Sequence, residues 1–174
     1  MFPELDTMRL LLQEIKPKDQ AFIFEGLSHP EVIPYYGVRY NSFEATEAQM
    51  DWYSQLAEQG SGLAWKMVEK QTGEKVGVIA VYAYKPEHNK AEVGFWLLPQ
   101  FWNKGYASEA LQSVNDYWKK VKSLHRMEAF VEEGNTASSK LLEKAGFHYE
   151  GTMRDCEIKH GKYISLLIYA LLLG

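Results

Sequence analysis

The 174 residues contain a single cysteine, Cys156, so the chain cannot close a disulfide on itself, and this thiol usage fits a reducing cytosol. Positive charge is not in excess: 19 Lys and Arg stand against 23 Asp and Glu, a formal net charge of −4. A duplex nucleic acid partner therefore has no basic field to speak for it. The mild acidity suits an amine-bearing substrate and equally suits ordinary solubility. Long apolar runs are missing; the tail from Ile164 to Leu173 is too short to span a membrane and contains Ser165. The opening Met1-Phe2-Pro3-Glu4-Leu5-Asp6 has neither the charged nor the apolar region of a signal peptide, so a cytoplasmic protein without a membrane is expected. His29, His88, His125, His148 and His160 are scattered, with no His-Glu-x-x-His or Cys-plus-His spacing, and no metal is expected. Repeats, low-complexity tracts and linkers are absent. What remains is a chain with 46% hydrophobic residues, enough for one core and a single domain over residues 1–174.

Along the chain, Arg9 to Ile15 reads as a strand, and Pro17 and Lys18 open a helix carrying Phe22, Ile23 and Leu27 that stops near His29-Pro30. Residues 30–43 are irregular and aromatic-rich. Glu44 to Gln59 returns to helix, with Met50, Tyr53 and Leu56 as core positions and Gly60 as the stop. Leu63 to Glu69 and Val76 to Tyr84 flank the hairpin signal Gln71-Thr72-Gly73-Glu74, and Ala91 to Leu98 follows as another strand. Further strands are read at His125 to Glu132, Phe147 to Ile158 and Tyr163 to Leu172, the last two joined by a turn at His160-Gly161. Asn135 caps a helix from Thr136 to Ala145, closed by Gly146.

The centre of the chain is a strand-to-helix junction. After Leu98, an apolar stripe at Ala107, Ala110, Leu111, Val114, Trp118 and Val121 repeats at helical spacing, with Lys119, Lys120 and Lys122 at the negative end of the dipole. The first amides of such a helix lack partners and form a natural anion seat. Gly105 admits a ligand close to the backbone, Ala107 adds little bulk, and Lys104 supplies a positive charge. One glycine before a helix is also compatible with an ordinary turn.

The segment Trp102-Asn103-Lys104-Gly105-Tyr106-Ala107-Ser108-Glu109-Ala110 resembles the acetyl-coenzyme A motif of the GNAT superfamily, in the form used by its RimJ/RimL-like ribosomal-protein N-acetyltransferase branch. A second match runs from Asn135 to Phe147, and the likeness extends from about Met8 to the C-terminus. The resemblance implies an α+β fold: a mixed, mostly antiparallel seven-stranded sheet flanked by four helices and splayed between strands 4 and 5. It implies acetyl-CoA as cosubstrate, with the backbone of Phe95, Trp96 and Leu97 along the pantetheine arm, the amides of Asn103, Lys104, Gly105, Tyr106, Ala107 and Ser108 on the diphosphate, and Asn135 beside the arm. Trp102 departs from the superfamily pattern of Gln or Arg. Backbone donors freed by the splay would stabilise a tetrahedral oxyanion.

Acetyl transfer to an amine needs the amine neutral. By family position Glu92 is the general base, acting directly or through a water, if its pKa is raised towards working pH. By its own sequence context it is a sheet-face carboxylate that a Lys or Arg could pair, and Glu87 and His88 are alternatives. Gly94, two residues on, would leave room for the acceptor. Many relatives place a Tyr at the position of Leu142 to protonate the leaving thiolate; here Ser138 takes that role, as in RimL-like enzymes, unless it is simply an exposed or back-bonded helix serine. Tyr35, Tyr36, Arg39 and Tyr40 are candidate acceptor contacts or loop packing, and Tyr149 and Tyr163 are read as core or rim packing, with bordering of the same region as the alternative. Cys156 is the one thiol and no motif marks it as a nucleophile, so direct transfer in a ternary complex without an acetyl-enzyme is the expected route. The family branch points to a protein N-terminal α-amine, ribosomal or other, as acceptor. A small amine such as a polyamine or aminoglycoside, and a non-catalytic acyl-CoA sensor, are the alternatives. Either a monomer or a homodimer is compatible with the sequence.

Overall fold

The computed structural model describes residues 1–174. Its strands are β1 (Leu5–Asp6), β2 (Leu10–Glu14), β3 (Leu63–Glu69), β4 (Lys75–Lys85), β5 (Lys90–Leu97), β6 (Arg126–Glu132), β7 (His148–Lys159) and β8 (Lys162–Leu172). They form one sheet in the order β1-β2-β3-β4-β5-β6-β8-β7. Every neighbouring pair is antiparallel except β5 with β6, which is parallel. Four helices flank the sheet: α1 (Gln20–Ser28), α2 (Glu47–Glu58), α3 (Tyr106–Lys122) and α4 (Thr136–Lys144). The fold is the expected mixed, mostly antiparallel α+β sheet. Its eighth strand is the two-residue β1, where Leu5 and Asp6 pair with Leu12 and Leu11. Two residues carry no alternation, so the sequence had no means of marking it.

The parallel pair is the only one that cannot be joined by a hairpin, and α3 makes the crossover. Its apolar face is buried at Ala107, Ala110, Leu111, Val114 and Trp118, with Tyr84 edge-on to Trp118 at 5.3 Å. Val121 departs from the expected stripe and is 55% exposed. The helix stops two residues later at a left-handed Ser123, and the chain folds back so that Leu124 is buried, its amide on the Trp118 carbonyl.

On the other face α1 lies hard against β5. A Cβ on Gly26 would stand 2.1 Å from the Trp96 ring, so only glycine allows this approach, and Phe22 packs 5.3 Å from the same indole. Asp19, fully buried just before α1, receives Lys66 and Lys75 at 2.7 Å each and the Lys16 amide at 2.8 Å. Burial alone would raise its carboxyl; those three donors overcome that and hold it below the ordinary range. The α1 start is thereby pinned to β3 and β4. No helix of the chain is long and apolar enough to cross a membrane.

Candidate active site

The sheet opens at its parallel seam. β5 and β6 pair only through Lys90 with Arg126, Ala91 with Met127 and Glu92 with Glu128. Beyond Glu92 the two strands part, while β5 keeps β4 as far as Leu97 and β6 keeps β8 as far as Glu132. The β5 edge from Val93 to Leu97, which includes Phe95 and Trp96, is therefore unpaired on the β6 side, and an extended ligand could add to it as a strand would.

At the far end of β5, a single tight turn at Pro99–Phe101 leads to Asn103 (φ +59°) and Gly105 (φ +81°), both left-handed on either side of Lys104. Such a turn gathers successive amides on one side. None of the amides from Asn103 to Ser108 has a backbone or side-chain acceptor in the chain, and no side chain caps α3. The positive end of a 17-residue helix is thus left open to an anion, beside exposed Asn103, Lys104 and Gly105. Trp102, the departure from the family pattern, turns its indole back instead: Nε1 donates to the Leu97 carbonyl at 2.9 Å, fixing the strand end to the loop.

Glu92 sits at the last rung before the strands separate, opposite Tyr82 on β4 and Glu128 on β6. Two nearby cations are spent on Glu128, which takes Lys90 at 3.2 Å and Arg126 at 2.7 Å, while Arg126 also holds Glu150. Glu92 has no cation within 4 Å and no hydrogen bond, so it is not the paired surface carboxylate that its sequence context allowed. Partial burial and the Glu128 charge raise its carboxyl above the ordinary range, against the pull of Lys90 and Lys85. Burial and Glu92 in turn push the Tyr82 hydroxyl up to about 12, so it stays a proton donor. Glu87 and His88 lie exposed in the β4–β5 turn.

Gly94 does not leave the free space expected beside Glu92. A Cβ there would meet the Tyr82 ring at 3.4 Å, and that ring covers the glycine. Tyr82 was missed in the sequence because the β4–β5 register that sets it opposite Glu92 shifts between Tyr82 and Lys85, which alternation does not reveal. It belongs to an aromatic group. Trp52 lies edge-on to Tyr82 at 5.5 Å, and the half-buried Tyr36 hydroxyl is raised by burial and by Tyr53, Tyr82 and Tyr40 close by. Tyr40 donates to Gln49 at 2.9 Å.

Of the other candidates, Tyr35 is half exposed, its hydroxyl near Gly134 at the β6–α4 turn, and Arg39 is exposed with no ion pair. Asn135 caps α4 as expected: Oδ1 accepts from the Ser138 amide at 3.3 Å, and Nδ2 donates to the Ser138 hydroxyl at 3.0 Å. Because Ser138 Oγ accepts that bond, its own proton is free to be given elsewhere. No group of three or more His, Cys, Asp or Glu gathers in a way that could hold a metal ion.

The splayed parallel seam thus runs between an uncapped helix at one end and an unpaired carboxylate at the other. Residues 9–148 match the family described as "Acetyltransferase (GNAT) domain". The chain is 33% identical over 172 residues to the uncharacterized N-acetyltransferase YoaA of Bacillus subtilis (strain 168), covering 98% of this chain and 97% of that protein. It belongs to the GNAT acetyltransferase family. Among solved structures it is similar to a GNAT-family acetyltransferase from Bacillus anthracis (27% identity, TM-score 0.86, 98% and 99% of the two chains). It also shares its fold with RimL, a ribosomal L7/L12 α-N-protein acetyltransferase solved with coenzyme A (20%, 0.87, 98% and 98%). A third, a spermidine N-acetyltransferase from Vibrio cholerae with coenzyme A and spermine, matches at 21% identity and TM-score 0.83 over 95% and 96%.

Proposed function

We propose that this acetyltransferase moves the acetyl group of acetyl-CoA directly onto a small primary amine, within one ternary complex and a single domain. The observation that carries the reading is the combination of unpartnered amides from Asn103 to Ser108 with the unpaired, raised carboxyl of Glu92 at the splay. Diphosphate on those amides would lay the pantetheine arm along Phe95, Trp96 and Leu97 and bring the thioester to the seam beyond Glu92. Glu92 takes the proton of the acceptor ammonium, the amine lone pair attacks the carbonyl carbon, and backbone donors of the open β5 edge hold the oxyanion. The C–S bond then breaks, the thiolate takes the proton of the Ser138 hydroxyl, which Asn135 orients, and that hydroxyl is restored by the proton the attacking nitrogen sheds as it becomes the amide.

A small acceptor is favoured by a bridge across the acceptor side. Lys159 at the end of β7 donates to the Pro34 carbonyl at 2.5 Å and to Glu132 at 2.6 Å, tying the loop after α1 to the β7–β8 hairpin. An extended peptide lying between these two segments would have to cross that tie. Tyr36, Tyr82 and Trp52 with Glu92 form a wall of aromatic faces and one carboxylate, which suits an alkylammonium. The RimJ/RimL-like branch and its protein N-terminal α-amine are the competing assignment.

Thiol release from acetyl-CoA, measured against polyamines, aminoglycosides and a library of N-terminal peptides, tests the reading. Turnover on small amines and none on peptides is expected. Turnover confined to peptides would restore the α-amine acceptor, and binding of coenzyme A with no transfer to any amine would make the protein a sensor.

A further inference from the structure

Arg9, immediately before β2, is remote from the acceptor wall, yet both hydrogen bonds of its side chain go to the turn and first residues of α3. Nη1 donates to the Lys104 carbonyl at 2.7 Å, and Nε donates to Glu109 Oε2 at 2.7 Å. The guanidinium lies 4.4 Å from the Tyr106 ring centroid. Nη2 stands 3.2 Å from where a Cβ on Gly105 would be, and no acceptor in the chain takes its protons. The Arg9 amide and the Thr7 hydroxyl both donate to Glu109 Oε1 at 2.6 Å. Three of the six residues from Lys104 to Glu109 are thus contacted by one side chain that comes from near the start of the sequence.

Glu109 makes this arrangement necessary. A carboxylate in the first turn of α3 complements the helix dipole, but the same charge opposes a dianion arriving at the adjacent amides. Thr7 and both donors of Arg9 saturate Glu109 and hold its carboxyl low against the opposing effect of burial.

We propose that Arg9 is a positioning residue for the nucleotide end of the donor: its planar fork holds the Asn103–Ser108 turn in its anion-ready shape and cancels the Glu109 charge. This rests on the reading that the turn takes the diphosphate. A lysine could supply the charge and not the geometry, since two bonds at fixed angles and a stacked face are needed.

Coenzyme A affinity by titration calorimetry, for Arg9→Met, Arg9→Lys, Glu109→Gln and the Arg9→Met/Glu109→Gln double variant, tests it. The dissociation constant should rise about tenfold or more for Arg9→Met and about threefold for Arg9→Lys, which keeps the charge and guards against a fold defect in the first variant. The double variant should bind better than Arg9→Met alone, because the stranded carboxylate is gone; equal or additive loss would mean a merely structural role. In turnover, the loss of kcat/KM with acetyl-CoA should exceed that with S-acetylpantetheine, which has no diphosphate, by about the same tenfold. Equal losses with both donors, or an affinity for Arg9→Met within twofold of wild type, would overturn the inference. Gly105→Val separates the two levels: if it abolishes coenzyme A binding while Arg9→Met does not, only the Arg9 role fails, and if neither variant matters the diphosphate is seated elsewhere.

Discussion

Glu92 shows how neighbours decide the chemistry of one side chain. Of the cations near its strand, Lys90 and Arg126 are taken by Glu128 one strand away and Lys85 makes no ion pair with it, so Glu92 keeps a desolvated, unpaired carboxyl. Replacing it with Gln should lower kcat by about 10²–10⁴-fold and remove the acidic limb of the pH profile. That limb should lie above the ordinary carboxylate range in the wild type, in the direction of the shift. Stability should move the other way. A carboxyl raised in the fold disfavours folding when ionised, a penalty present above the folded pKa and gone below the ordinary value of 4.5. Thermal melts of Glu92→Gln should therefore be no lower than wild type at neutral pH, the two converging in acid. Ser138→Ala should lower kcat by less than about 10²-fold, since a thiolate leaves without much help, with the KM for acetyl-CoA nearly intact. A Ser138→Ala enzyme with full kcat would make the serine a helix residue and nothing more.

At the scale of the element, the β5–α3 junction is where local rules and binding coincide. Its glycine, its small residues and its terminal lysines are all readable, and the structure adds the left-handed Asn103 and the run of unused amides. Gly105→Val places a β-branched residue at φ +81°, at a cost of about 1–2 kcal/mol, and sets its side chain against Arg9. The expected outcome is a folded protein by circular dichroism that no longer binds coenzyme A. Normal binding by this variant would move the anion seat off the junction. The α4 start was equally legible as an Asn cap. Its second bond, from Asn135 to the Ser138 hydroxyl, was not, because cap patterns specify the backbone partner and leave the remaining amide proton to the surroundings.

Across the whole molecule, the buried Asp19 with Lys66 and Lys75 joins the first helix to the middle of the sheet. Asp19→Asn would strand Lys66, 6% exposed, without its counter-charge, and should destabilise the fold by about 3–5 kcal/mol in urea titrations at pH 7. The carboxyl is held below its ordinary 3.8, so its contribution is complete above that value and is lost as pH falls through the folded pKa. The gap between wild type and variant should accordingly shrink in strong acid, and a gap that stays constant there would assign the effect to packing.

Residue order alone determined the α+β class, strands β2 to β8 to within a residue, the four helices with α1 and α2 starting three residues later than read, the helix start at Gly105 and the acetyltransferase likeness. These depend on periodicity, turn chemistry and caps, which act over a few neighbours in the chain. Only the tertiary structure decided where β5 leaves β6, that Tyr82 covers Gly94, that Glu128 takes the cations Glu92 would otherwise have, and that Arg9 reaches the head of α3. Each of those joins residues that lie far apart along the chain, and such pairings arise from the register and packing of the assembled sheet.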